Sequence, residues 1–189
     1  MKAIAFNCSP RKGGNTEILL NEVLRVLEEK GIKTEIIQVG GKKVQGCIAC
    51  MKCRKKGDGQ CHQENELLNK CIKKMLKTDI ILIGSPVYFS DVTAEAKALI
   101  DIAGYTIRGA GNPLKRKIGA AVIAVRRTGA MHAFDTINHF FLINEMIVPG
   151  SSYWNVGIGR EKGDVASDEE GMKTMKRLGE NIAWLAEKL

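Results

Sequence analysis

Long apolar runs are missing from this 189-residue chain. None approaches the roughly 20 consecutive residues a helix needs to cross a bilayer, so no membrane span is expected. The opening "KAIAFN" is too short for the apolar region of a secretory signal. Both absences predict a cytoplasmic, reducing setting, where disulfides are a poor explanation for clustered cysteines. The nucleotide loops GxxxxGK[ST] and GxGxxG are absent too, which excludes the P-loop and dinucleotide fingerprints. No low-complexity tract, linker or internal repeat interrupts the chain, and a single domain over residues 1–189 is expected. Histidine is scarce: His132 and His139 share one expected helix face and His62 stands apart. Packing or surface placement accounts for each, and no side chain is assigned a catalytic role.

What is present alternates between two periodicities. "KAIAFNCS" and "DIILIGSPV" are continuous apolar runs of the kind found in strands buried on both faces. "KTEIIQV" and "KIGAAVIAV" supply two more strands, and a last one is expected near 147–157. Between them Ile18, Leu19, Val23, Val26 and Leu27 recur at helical spacing from Thr16 to about Lys30. Further helices are expected over 64–77, 92–103 and 131–146, and at the C-terminus. Strand and helix alternate about five times, which argues for a parallel sheet with helices on both faces. Ligands of such sheets lie at the carboxyl ends of the strands.

Charge is unevenly placed. The formal net charge is +8, and residues 42 to 77 hold ten Lys/Arg against three Asp/Glu. This stretch lacks the aromatic side chains that stack nucleic-acid bases, which argues against that partner. A solvated face, a counterweight to thiolates and a dock for an acidic protein remain open.

"NCSPRKGGNTE" joins the first strand to the first helix. A helix start exposes unpaired N–H groups and the positive end of the helix dipole, which suits a phosphate. Ser9, Asn15 and Thr16 add short donors, Arg11 adds charge, and Gly13 and Gly14 allow close approach. A helix simply capped by Asn15 or Thr16 is the competing reading.

Residues Ser9, Pro10, Arg11, Gly14, Asn15 and Thr16 of "SPRKGGNT" resemble the FMN-phosphate loop of the flavodoxin-like NADPH-dependent FMN reductase family. The likeness continues through "GSPVYFSDVTAEAKALID" and the glycine-containing loop after the fourth strand. It implies a flavodoxin-like α/β three-layer sandwich whose five-stranded parallel sheet has the order 2-1-3-4-5. It also implies flavin contacts from Ser85, Pro86, Val87 and Tyr88, with Phe89 and Ser90 adjacent. The matching positions for the pyrimidine edge of the flavin are Arg126, Arg127, Thr128 and Gly129. Many relatives carry small residues at the first two of these. Three roles are open to the arginine pair: stabilising anionic reduced flavin, binding an NADPH phosphate, or meeting a neighbouring subunit. Tyr153 and Trp154 are open to covering a cofactor or to packing in the core.

Four of the six cysteines crowd into "GCIACMKCRKKGDGQC". Cys47, Cys50, Cys53 and Cys61 form the pattern C-x2-C-x2-C-x7-C, and C-x2-C-x2-C lets one loop reach three corners of an iron–sulfur cubane. Lys52, Arg54, Lys55 and Lys56 are expected to lower thiol pKa values and offset cluster charge. Zinc and bare thiols are the alternatives. The stretch, about residues 46–62, is similar to the motif of the iron–sulfur flavoprotein branch of the same family, which carries one [4Fe–4S] cluster per subunit. Cys8 and Cys71 are read as packing residues.

The resemblance therefore implies an FMN-dependent oxidoreductase or electron-transfer flavoprotein. Electrons would pass between FMN and a [4Fe–4S] cluster, or from NAD(P)H to a small acceptor. An acidic ferredoxin is a possible partner, and a homodimer or homotetramer is expected. The contrasting reading is a flavin-free thiol or zinc module that uses its basic loop to hold a macromolecule.

Overall fold

The structure, a computed structural model, describes residues 1–189. Its strands are β1 (Lys2–Asn7), β2 (Lys33–Gln38), β3 (Ile80–Pro86), β4 (Ile118–Val125) and β5 (Val156–Ile158). The helices are α1 (Asn15–Glu29), α2 (Lys52–Lys56), α3 (Glu66–Leu76), α4 (Ala94–Gly109), α5 (Ala130–Ile143) and α6 (Glu169–Ala186). A short 3-10 turn, Asp164–Ser167, precedes α6. All four strand pairings are parallel, in the order β2-β1-β3-β4-β5. No helix is long and apolar enough to cross a membrane.

Strand alternation divides the core in two. Ala3, Ala5, Ile80, Leu82, Ala120 and Val122 face α1 and α6, whereas Ile4, Phe6, Ile81, Ile83, Ala121 and Ile123 face α3, α4 and α5. Because β1, β3 and β4 are covered on both sides, every position must be apolar, which explains their unbroken hydrophobic runs. Edge strand β2 is covered less and carries Lys33 and Glu35, charges that discourage pairing with another sheet. Gly119 lets α5 sit close: a Cβ there would lie 2.6 Å from the Phe141 ring.

Several boundaries differ from the sequence expectation for visible reasons. The last strand shrinks to three residues paired with the end of β4, and near residue 147 only an isolated parallel bridge between Ile118 and Ile147 remains. Between those two points the segment has more residues than β4, and the surplus around Pro149 and Gly150 loops out. Helix α4 passes through Gly104, where Phe140 approaches, and continues to Gly109. The α2 turn inside the cysteine loop had no apolar periodicity to betray it. Lys117 ends α3 from outside: its Nζ donates to the carbonyls of Met75, Leu76 and Thr78 at 3.0, 2.8 and 2.6 Å. Burial lowers its pKa.

The chain leaves β1 for β2 on one side and reaches β3 on the other. This reversal opens a crevice beyond the carboxyl ends of β1 and β3. Thr93, the N-cap of α4, ties the start of that helix to the end of β1. Its hydroxyl donates to the Cys8 carbonyl at 2.9 Å and accepts from Ala96 N at 3.2 Å.

Candidate functional site

A cavity of about 190 Å³ occupies that crevice. Ser9 and Arg11 line it from the loop after β1, Asn15 and Thr16 from the start of α1, Pro86 from the end of β3, and Val87 and Tyr88 from the loop that follows. Arg126 reaches it from the loop after β4. The first loop is held by a network of short-range hydrogen bonds that runs from the buried floor to the surface. Asn7 accepts from the Ser9 N–H at 3.1 Å, and Ser9 Oγ accepts from the Arg11 N–H at 3.2 Å. Glu17 accepts from the Gly13 N–H at 2.6 Å. Gly40 packs beneath, where a Cβ would lie 2.3 Å from the Ser9 carbonyl carbon.

The start of α1 faces this cavity without a side-chain cap, since its N-cap is Gly14. Neither Asn15 nor Thr16 caps it. Thr16 is 1% exposed and its hydroxyl oxygen has no hydrogen-bond partner. A buried hydroxyl left unpaired is costly, and one on a cavity-lining residue beside open helix N–H groups marks where a ligand acceptor belongs. Four cations line the cavity and no carboxylate does: Arg11, Arg126, Arg160 and Lys162. The donor set fits a phosphate monoester.

Gly159, Arg160 and Lys162 come from the loop after β5, a segment that sequence reasoning passed over. Asn15 explains their presence. Its Nδ2 donates to the Glu161 carbonyl at 2.9 Å and its Oδ1 accepts from the Gly163 N–H at 2.8 Å. The amide expected to touch an anion therefore clasps the loop that completes the cavity wall. Lys162 Nζ stands 3.4 Å from where a Cβ on Gly13 would be. Only the glycine-and-charge run "GIGREKG" hinted at this wall.

The other expected residues lie beside the cavity rather than on it. Gly14 is buried behind Arg11. Ser85 is fully buried, donating to the Pro86 carbonyl at 2.8 Å and accepting from the Thr93 N–H at 3.1 Å. It shapes the turn and is not among the residues that line the cavity. Phe89 and Ser90 form the centre of a tight turn in which Tyr88 and Asp91 exchange backbone bonds of 2.8 and 3.0 Å. Both have positive φ, +47° and +64°, and Phe89 stands fully exposed. Left-handed backbone at two successive non-glycine residues stores strain, a trait of functional loops. Gly129, itself at φ +84°, sits so close that a Cβ would lie 2.8 Å from Ser90 Oγ. The loops after β3 and β4 thus touch, with Arg127 and Thr128 exposed above them. Tyr153 and Trp154 are exposed, and Trp154 lies 6.1 Å from the Phe134 ring. His132 and His139 are exposed on α5.

The four loop cysteines line one small chamber of about 10 Å³, with His62, Gln63 and Tyr105 beside them. All six thiols of the chain are free. Cys50 is exposed, Cys47 and Cys53 are half-buried, and Cys61 is buried. Ala49 and Met51, one residue from each gap between successive cysteines, have φ of +52° and +59°. The Ala49 N–H donates to Cys47 Sγ at 3.4 Å. The expected lowering of thiol pKa fails at Cys61. Burial pushes that thiol up, the Gln63 backbone opposes the shift, and Cys53, Cys47 and Cys50 add to it. The basic side chains of α2 are exposed, so solvent screens them. The donor chemistry fits a four-thiolate group, and the thiols share one chamber, but no three side chains are yet gathered at metal-ligand spacing.

A parallel sheet in the order 2-1-3-4-5 with its crevice at the β1/β3 reversal defines a flavodoxin-like protein. Solved structures agree on that fold. An NAD(P)H:quinone oxidoreductase from Methanothermobacter marburgensis superposes with a TM-score of 0.73 at 14% identity, covering 96% of each chain. A flavodoxin from the domain Archaea gives 0.64 at 18% identity, covering 99% of each. The chain belongs to the NADPH-dependent FMN reductase family, whose model matches residues 1–161. An iron-sulfur flavoprotein of Methanocaldococcus jannaschii is 37% identical over 97% of this chain and 96% of its own length. An iron-sulfur flavoprotein of Methanosarcina thermophila is 30% identical over 96% and 93%. The protein is an FMN-binding oxidoreductase or electron-transfer flavoprotein. The contrasting reading, a flavin-free thiol or zinc module, finds no support.

Proposed function

We propose that the crevice holds FMN with its phosphate at the start of α1, and that the cysteine chamber holds a [4Fe–4S] cluster. The phosphate would accept from the Thr16 hydroxyl and the first N–H groups of α1, and Arg11, Arg160 and Lys162 would balance its charge. Pro86, Val87 and Tyr88 would flank the isoalloxazine ring, and Arg126 to Gly129 would border its pyrimidine edge. Bound flavin supplies hydride acceptance and single-electron exchange. The chain's own part is to orient the ring, limit water and set the local charge; no side-chain acid or base is required. Arg126, which lines the cavity, would favour the negative charge that reduced flavin gathers.

Cys47, Cys50, Cys53 and Cys61 are the cluster ligands in this reading, which supplies one-electron relay. The iron-sulfur flavoprotein names of the relatives support it. Electrons enter from NAD(P)H or from an acidic ferredoxin docked on the basic loop, and leave to a small oxidant. The protein works as a single domain in the cytoplasm, as a homo-oligomer.

The observation that carries the flavin assignment is the unpaired, buried Thr16 hydroxyl at the open end of α1. Absorbance of the purified protein tests it: flavin gives bands at about 375 and about 450 nm. A cluster adds a broad shoulder near about 400 nm that bleaches with dithionite. A colourless protein that cannot be reconstituted with FMN would refute the flavin site. Anaerobic protein without iron and sulfide after reconstitution would refute the cluster.

A further inference from the structure

Two asparagines one helical turn apart grip both stems of the cysteine loop. Asn65 accepts from the Gln45 N–H at 3.0 Å and donates to the Gln45 carbonyl at 2.9 Å. Asn69 repeats the arrangement on Cys61, accepting from its N–H at 2.8 Å and donating to its carbonyl at 2.9 Å. Each side chain satisfies both backbone groups of one residue, as a neighbouring strand would. Positions i and i+4 share a helix face, so the clips stand side by side along α3. They bring Gln45, two residues before Cys47, alongside Cys61.

Asn65 gives up its local role to do this. It is the N-cap of α3, where an asparagine side chain ordinarily accepts from a helix N–H. Here it makes no capping bond. It is buried, 5% exposed, and turned instead to a residue 20 positions away. A favoured helix cap is forgone so that the loop closes on itself. The left-handed residues Ala49 and Met51 add strain within that loop, which the fixed stems must sustain.

We propose that Asn65 and Asn69 are positioning residues of the cysteine centre, holding its first and last thiols, Cys47 and Cys61, on one chamber before any metal arrives. The proposal rests on the reading that the four cysteines bind one group. Hydrogen-bonded supports of this kind typically change metal affinity by about 10–100-fold when removed.

The test uses the full chain, prepared anaerobically without iron. Asn65→Ala, Asn69→Ala and the double variant are compared with wild type and with Lys117→Met, which loosens the opposite end of α3. The first probe is dibromobimane, which becomes fluorescent on bridging two nearby thiols, followed by peptide mapping. Wild type is expected to bridge Cys61 to a thiol among Cys47, Cys50 and Cys53. The asparagine variants should do so more slowly, with FMN binding unchanged. Lys117→Met should lower the melting temperature without altering the bridge. The second probe is reconstitution with ferrous iron and sulfide, then loss of iron to a chelator. That loss should be about 10–100-fold faster in the asparagine variants. Wild-type bridging and iron retention in the double variant would overturn the proposal. If wild type takes up no iron, the metal reading fails, and the bridging rates alone decide whether the clips place the thiols.

Discussion

Asn15 and Gly163 are joined across 148 positions by a 2.8 Å hydrogen bond from the Gly163 N–H to the Asn15 side-chain oxygen. The same amide donates to the Glu161 carbonyl, so the loop after β1 and the loop after β5 form one wall. Asn15→Ala removes both bonds, each worth about 1 kcal/mol, and frees Arg160 and Lys162 from the cavity. FMN affinity, followed by quenching of flavin fluorescence, should fall about tenfold or more. Unchanged affinity would show that the second loop does not serve the ligand.

Thr16→Val separates phosphate binding from folding. Valine has nearly the same shape and lacks the unpaired hydroxyl, so the ligand-free protein should keep or gain stability, by about 1 kcal/mol at most. FMN binding should weaken about tenfold while riboflavin, which lacks the phosphate, binds as before. Equal weakening for both flavins would place the phosphate elsewhere.

At Gly40 the obstruction is backbone rather than a movable side chain. An added Cβ meets the Ser9 carbonyl carbon at 2.3 Å and the Cys8 carbonyl oxygen at 2.4 Å. Gly40→Ala should therefore destabilise the fold by about 2–4 kcal/mol. It should also impair FMN binding, because Ser9 must shift. Denaturant unfolding with a wild-type midpoint would contradict the packing described.

Cys71 and Cys8 should resist thiol reagents in the native state. Burial pushes the Cys71 thiol up to about 12 and raises that of Cys8 as well, with Cys71 and Glu95 adding to the shift at Cys8. At pH 8 about one Cys71 in ten thousand is then a thiolate. Mass mapping should find label on the loop cysteines, with Cys50 among the first, and on Cys8 and Cys71 only after unfolding. The sign for stability follows. Above the ordinary thiol value of 9.0 the unfolded chain releases these protons while the folded one retains them. Stability should decline as pH rises from about 9 toward 12, by up to about 1.4 kcal/mol per unit for each thiol. Cys71→Ala should show a shallower decline, and an identical slope would contradict this account.

Much of the fold was open to local reading. The apolar runs of β1, β3 and β4 and the helical spacing of α1 depend on short-range periodicity, so their order and parallel arrangement could be inferred. "SPRKGGNT" likewise carries its own helix start, and Ser9, Arg11 and Thr16 line the cavity. Three features escaped because they depend on side-chain partners that neither helix nor strand periodicity reveals, at separations from 8 to 148 positions. Ser85 was read as a ligand contact, yet its hydroxyl is bound to the Thr93 N–H within a closed turn. Asn15 was read as a ligand donor, yet it holds Glu161 and Gly163. Asn65 and Asn69 carried no motif at all, although they bind the stems of the cysteine loop.

The sequence by itself therefore determined the βα alternation, the position of the anion-ready helix start and the set of four clustered thiols. Periodicity and residue type act over a few neighbours, and those properties are local. Only the tertiary structure decided which charges surround the crevice, which amides face ligand and which face backbone, and that four cysteines line one chamber. A side-chain amide can satisfy any peptide group within reach, and what lies within reach is settled by how the sheet and helices pack.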